Sequence, residues 1–164
     1  MQTAAPGSHA QATYVPAGAH EVWWMDSTVD VKLTAAQTDG HLGMWLWVAR
    51  RGATAPLHVH HREDEEFLVI DGEVRFIVGD QRLDAHAGDL VFLPREVPHA
   101  YLVTSETARA VGSATPGGFE SFFAELGTPV QPGAPAAAPP AIEAMAAAAA
   151  RRNIDILGPP PTLD

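Results

Sequence analysis

The stretch Gly52-Ala-Thr-Ala-Pro-Leu-His58-Val-His60-His61-Arg62-Glu63-Asp64-Glu65-Glu66-Phe67-Leu68-Val69-Ile70-Asp71-Gly72 decides how the chain is read. His58 and His60 stand two apart in a segment approaching a strand, so both imidazoles leave one face while His61 leaves the other. In the run that follows, Glu65, Phe67 and Val69 share one face and Glu66, Leu68 and Ile70 the other. Only one of the two glutamates can therefore join the histidines. Downstream, Gly88-Asp-Leu-Val-Phe-Leu-Pro94-Arg-Glu96-Val-Pro98-His99-Ala-Tyr101-Leu-Val103 brings a third imidazole to the start of another strand. Three imidazoles and one carboxylate from three strands could converge on a single cation. Nitrogen and oxygen donors alone suit a divalent first-row metal, with positions left for substrate and for dioxygen or water. Bound imidazoles must be neutral, so occupancy is expected to fall with acidity.

Outward from this stretch, residues 21–114 carry most of the Val, Leu, Trp and Phe, in short runs broken by Gly, Asp and Pro. Val29-Asp-Val-Lys-Leu-Thr34 and Glu73-Val-Arg-Phe-Ile-Val78 alternate at period two, as half-buried strands do. Met44-Trp-Leu-Trp-Val48 is apolar on both faces and predicts a strand covered on both sides. Asp71-Gly72 between two such runs is a hairpin signal. Seven to nine strands at intervals of about ten residues predict an all-β sandwich or small barrel. No helix-period segment interrupts them, which disfavours a parallel α/β sheet.

The flanks differ. Residues 1–20 read as a flexible N-terminal arm. Residues 115–164 read as a C-terminal helical extension with a Pro/Ala linker at 128–140. Phe119, Phe122, Phe123 and Leu126 fall at helical spacing before Gly127 and predict a short amphipathic helix laid on the barrel. Packing is the ordinary reading of that stripe, and substrate lining the other. A second, Ala-rich helix is expected over 141–152.

Composition narrows the chemistry. The 164 residues include 20 acidic and 10 basic side chains, 8 histidines and no cysteine. That length is one ordinary domain. Lacking cysteine, the chain cannot use thiolate metal coordination, disulfides or thiol catalysis. A net charge of −10 argues against a nucleic-acid partner, because phosphate binding needs clustered cations. The N-terminus has no signal-peptide pattern and no apolar run is long enough to span a membrane, so a soluble, cytoplasmic protein is expected.

Gly52-(five)-His58-Val-His60-(four)-Glu65-(six)-Gly72 resembles the first motif of the cupin superfamily at every defining position. Gly88-(five)-Pro94-Arg-Glu96-(two)-His99-(three)-Val103 resembles the second, except that Glu96 replaces its glycine and Val103 its asparagine. The words around both, and the tail Pro116-Gly-Gly-Phe-Glu-Ser-Phe-Phe, are similar to small single-domain, actinobacterial-type cupins of quercetin-dioxygenase-like character. The resemblance implies a double-stranded β-helix (a jelly-roll barrel), a homodimer, and one divalent transition metal (Ni, Co, Mn, Fe, Cu or Zn). His58, His60, Glu65 and His99 would be the ligands. In the flavonol dioxygenases of the superfamily the metal-bound glutamate also accepts the substrate's hydroxyl proton, a role that would fall here to Glu65.

Strand parity then nominates a pocket. Tyr101 and Val103 share the face of His99, and Phe67 and Val69 that of Glu65. Trp45, Trp47 and Phe76 could line an aromatic site or be plain core. Tyr101 could donate a proton, or its hydroxyl could find a backbone partner. His61 and His86 are expected to be exposed or bonded to backbone, while His9, His20 and His41 lack ligand spacing. The function expected from the resemblance is a mononuclear metal-dependent dioxygenase acting on an enol-bearing aromatic small molecule, with O2 as co-substrate. Two alternatives stand beside it: a non-redox metal-dependent isomerase, cyclase or lyase, and a ligand-binding cupin without catalysis.

Overall fold

The computed structural model describes residues 12–133 and 135–163. Twelve strands form: β1 (Glu21–Trp24), β2 (Ser27–Leu33), β3 (Gly43–Arg50), β4 (Leu57–His60), β5 (Asp64–Asp71), β6 (Glu73–Val78), β7 (Gln81–His86), β8 (Leu90–Leu93), β9 (His99–Val103), β10 (Thr107–Thr115), β11 (Thr128–Pro129) and β12 (Ile154–Gly158). Helices α1 (Ser121–Leu126) and α2 (Ile142–Ala150) follow the barrel strands, and a 3-10 turn spans Ala35–Gln37. The strands make two antiparallel sheets, one of order β11-β1-β2-β3-β10-β5-β8 and one of order β12-β4-β9-β6-β7. Their inner faces meet to form the jelly-roll core, in which Val29, Trp45, Val69, Val74, Phe76, Val103 and Ala110 are almost wholly buried. Among the described residues no helix is long and apolar enough to cross a membrane. His9 and the first part of the expected arm lie outside the described residues.

Three expectations need correction. Asp71-Gly72 is not a hairpin turn. Both edges of β5 are taken, by β10 and β8, while β6 pairs with β7 and β9 in the other sheet. Gly72, at φ 79°, instead carries the chain across from one sheet to the other. Next, β3 is not covered on both sides. Trp45, Trp47 and Ala49 are buried, but Val48 on the opposite face is 39% exposed, since that face looks outward from the barrel. Finally, the 115–164 segment also supplies strands: β11 extends the first sheet and β12 the second. Both are too short for a period-two signal to stand out.

The entry into β1 is fixed by a buried acid. The Asp30 carboxylate accepts hydrogen bonds from the Gly18 N–H (2.7 Å) and the His20 N–H (3.2 Å), and pairs with Lys32. Burial raises its pKa, but the Lys32 ammonium and the two backbone donors outweigh that and hold it below the usual carboxylate value. A group depressed in this way stabilises the fold above its unfolded pKa and loses that contribution as pH falls through the folded value. Asp30→Ala is expected to cost about 1–3 kcal/mol at neutral pH. The deficit against the native chain should shrink toward pH 3, as followed by urea denaturation at both pH values. An equal deficit at both would contradict this account.

Candidate metal centre

The four residues of the expected ligand set come from both sheets. His58 and His60 leave β4 on its inner face, as their spacing requires, and His58 pairs across the ladder with His99 of β9. Glu65 reaches in from β5 of the facing sheet. One donor atom from each of the four lies within 4.8 Å of the others. Glu65 Oε2 stands 3.2 Å from His99 Nε2 and 3.5 Å from His60 Nε2. Glu66 points the opposite way and accepts from the Ser113 hydroxyl at 2.8 Å, so alternation along β5 separates the two glutamates.

The rings are held from behind. His58 Nδ1 lies 2.8 Å from the Pro56 carbonyl and His99 Nδ1 3.0 Å from the Val97 carbonyl, each two residues back. A carbonyl accepts only, so both Nδ1 atoms carry a proton and Nε2 of each ring is the atom turned toward the cluster. Burial depresses the His58 imidazole to about 4, helped by its neighbour His99, so it is neutral near physiological pH. Burial would raise Glu65, but the surrounding His60, His99 and His58 pull it down to about 2. For His60, burial works against the charged form, yet the Glu65 and Glu63 carboxylates outweigh it and raise the imidazole. Both His60 nitrogens are buried without a hydrogen-bond partner. A fully buried imidazole with neither nitrogen hydrogen-bonded, beside an ionised carboxylate and two further imidazoles, is a set suited to binding one metal ion.

An apolar cavity opens onto this cluster. His58, Glu65 and His99 line it together with Trp45, Trp47, Phe67, Tyr101 and Leu93. Trp47 meets Tyr101 edge to face at 5.0 Å. Burial, and secondarily the Glu65 charge, push the Tyr101 phenol upward, so it stays protonated and able to donate a hydrogen bond. Val69, Phe76 and Val103 do not line the cavity. They are at most 1% exposed and lie in the core behind it, because period two assigns a face and says nothing about depth.

The tail contributes more than sequence reading gave it. Phe119, Phe122 and Phe123 pack as expected, and they also wall the cavity with Trp24, Met145 and Ile154. Phe119 stands edge-on to the His60 ring at 4.8 Å and to Trp45 at 5.5 Å. Strand β12 lies directly against the ligand strand, Ile154 opposite His60 and Ile156 opposite His58. The phenylalanine stripe was the one signal that could have announced this.

Both departures from the second motif are accommodated. Glu96 keeps a left-handed backbone, φ 65°, the conformation that glycine adopts most readily. Its N–H donates to the His60 carbonyl at 2.8 Å. Its carboxylate lies 2.9 Å from His61 Nδ1, while His61 Nε2 lies 3.1 Å from Asp155 of β12. His61 is thus exposed, as expected, with a carboxylate beside each ring nitrogen and its backbone N–H donating to the Asn153 carbonyl. Val103 holds the second position through its backbone, its N–H donating to the Ala53 carbonyl and its carbonyl accepting from Gly52.

Residues 45–111 match the family model of the cupin domain. Over 102 residues the chain is 29% identical to quercetin 2,3-dioxygenase of Bacillus subtilis (strain 168), covering 61% of this chain and 30% of that protein. Among solved structures, KdgF from Halomonas sp. superposes with a TM-score of 0.53 at 16% identity, over 58% of this chain and 85% of that one. Oxalate decarboxylase of Bacillus subtilis, a structure concerned with its Mn(II) centres, superposes at 0.55 and 23% identity over 61% of this chain and 28% of that one. The chain therefore spans under a third of the length of the two Bacillus proteins, and the structural likeness is one of fold. The matched domain, the filled first motif and the two-sheet jelly roll agree in making residues 45–111 similar to a cupin domain.

Proposed function

We propose that the protein is a mononuclear metal-dependent dioxygenase acting on an enol-bearing aromatic small molecule of flavonol type. The observation that carries this reading is the convergence of His58, His60, Glu65 and His99 beside a mainly aromatic and apolar cavity that His58, Glu65 and His99 line. The partial likeness to a quercetin dioxygenase supports it. A divalent first-row cation on those four residues would supply Lewis acidity toward an enol oxygen and a centre for dioxygen chemistry. The chain's own groups do the rest. Trp45, Trp47, Phe67 and Phe119 take up the planar substrate and keep water away. Glu65, ionised at neutral pH, accepts the hydroxyl hydrogen of the substrate. Tyr101 donates a hydrogen bond to a substrate oxygen as charge gathers there.

Oxygen uptake by protein loaded separately with Mn(II), Fe(II), Co(II) or Ni(II) tests the reading against a panel of flavonols and simpler enols. Substrate-dependent consumption is expected with at least one metal, and its loss on anaerobiosis. Product formation that persists without oxygen would replace the dioxygenase with a lyase or isomerase.

The assembly proposed is a homodimer. In support, Leu46, Val111, Leu68 and Leu90 sit opposite one another across β3, β10, β5 and β8 on the outer face of the larger sheet. Phe92 and Ile70 beside them are 51% and 44% exposed. A contiguous apolar face of this kind is what a second copy of a sheet covers. Leu68→Glu with Leu90→Glu is expected to convert a dimer of about twice the 17.4 kDa chain mass to monomer in sedimentation velocity. A monomeric parent protein would refute the assignment.

A further inference from the structure

The three histidines of the cluster are not supported alike. His58 and His99 each lean on a backbone carbonyl two residues earlier, whereas His60 Nδ1 has no such partner. What faces it is Glu63, whose Oε2 lies 3.5 Å away. Glu63 is 2% exposed and His60 0%, and Glu63 Oε2 is itself buried without a hydrogen-bond partner. A donor-capable ring nitrogen and a carboxylate oxygen are thus both stranded, and each is the obvious partner of the other. A shift of a few tenths of an ångström brings them to ordinary hydrogen-bond length. A buried carboxylate left unpaired would be costly, so its location needs a reason.

The setting supplies one. Glu63 opens on its far side to a polar recess lined by Arg62, Ser121, Glu125, Arg151, Arg152 and Asn153, and Arg62 Nε lies 3.9 Å from Glu63 Oε1. His60 does not line the aromatic cavity, so it stands in the wall between that cavity and this recess. We propose that Glu63 is a positioning residue for the metal centre, accepting the Nδ1–H of His60 so that Nε2 is held as the ligating atom. The inference rests on the four-residue metal centre and not on the dioxygenase reading. A carboxylate behind a ligating imidazole fixes its tautomer and increases its basicity toward the metal, and losing such a partner typically costs about 10–100-fold in affinity. The backbone carbonyls behind His58 and His99 fix tautomers without adding charge, so only His60 has a carboxylate behind it.

The test compares native protein with Glu63→Gln, Glu63→Ala and His58→Ala, using Co(II) as the probe. Long-range 15N NMR of the metal-free protein reads the tautomer, and calorimetric titration with Co(II) reads affinity. Native His60 is expected in the Nδ1–H form. Glu63→Gln, which keeps an accepting oxygen but no charge, should retain that form and bind Co(II) about tenfold more weakly. Glu63→Ala should lose the single tautomer and bind up to about a hundredfold more weakly. Native-like affinity in both Glu63 variants, with binding abolished in His58→Ala, would overturn the role of Glu63 and leave the metal centre standing. Should native protein bind no Co(II), the metal centre fails and the tautomer alone decides: an Nε2–H form of native His60 would overturn the inference.

Discussion

His99→Ala is expected to yield a folded protein that no longer retains a divalent metal. His99 Nε2 lies 3.2 Å from Glu65 Oε2 and its ring is 4.4 Å from that of His58, so it joins the two sheets at the cluster. Its removal takes one of four donors and leaves Glu65 Oε2 with His60 Nε2, at 3.5 Å, as its remaining neighbour. The affinity loss should exceed the roughly hundredfold that follows from removing a mere supporting partner. Stability should fall far less, by about 1–3 kcal/mol for a lost buried hydrogen bond, because the surrounding core of Trp45, Phe67 and Leu93 is untouched. Elemental analysis after dialysis against one equivalent of Mn(II) or Co(II) measures the first effect, and thermal unfolding followed by circular dichroism the second. Undiminished metal content in the variant would show that the ion is bound elsewhere.

Gly72→Ala should be the most damaging single methyl in the barrel. At φ 79° an alanine meets the left-handed penalty of about 1–2 kcal/mol. Its Cβ would also lie 2.1 Å from the Thr107 carbonyl oxygen and 2.8 Å from the Ala108 Cα. Both are backbone atoms of β10, so no side-chain rotation relieves the clash and the crossing between sheets must shift. Overpacking of this kind adds about 1–3 kcal/mol, for a total of about 2–5 kcal/mol. In a chain of this size that lowers Tm by about 5–15 °C. Gly88→Ala is the matched control: φ is 96° but nothing lies within 4 Å of the added Cβ, so only the conformational part should appear. Equal losses at the two positions would mean that crowding at Gly72 contributes nothing.

What could be read in advance divides along a physical line. Side-chain parity is a local property of a strand, and it was enough to put His58 and His60 together and to separate Glu65 from Glu66. Pairing is not local. Nothing in Asp71-Gly72 states that both edges of β5 are occupied, so a turn that looks like a hairpin becomes a crossing. Depth is not local either, which is why Val69, Phe76 and Val103 face inward yet lie behind the cavity that Phe67 and Tyr101 reach. The contribution of the tail was hidden for a third reason. The helical spacing of Phe119, Phe122 and Phe123 shows that they bury a face, but the surface they bury it against is made by strands more than fifty residues earlier.

The pairing of β12 with β4 has a consequence for the order of events during synthesis. His58 and His60 emerge from a ribosome roughly a hundred residues before their strand acquires its outer neighbour at Ile154–Gly158. Until then β4 has only the single His58–His99 register pair on its other side, and the His61–Asp155 clasp does not exist. Capture of a cation by the complete cluster would accordingly follow translation past residue 158, once β4 has both neighbours.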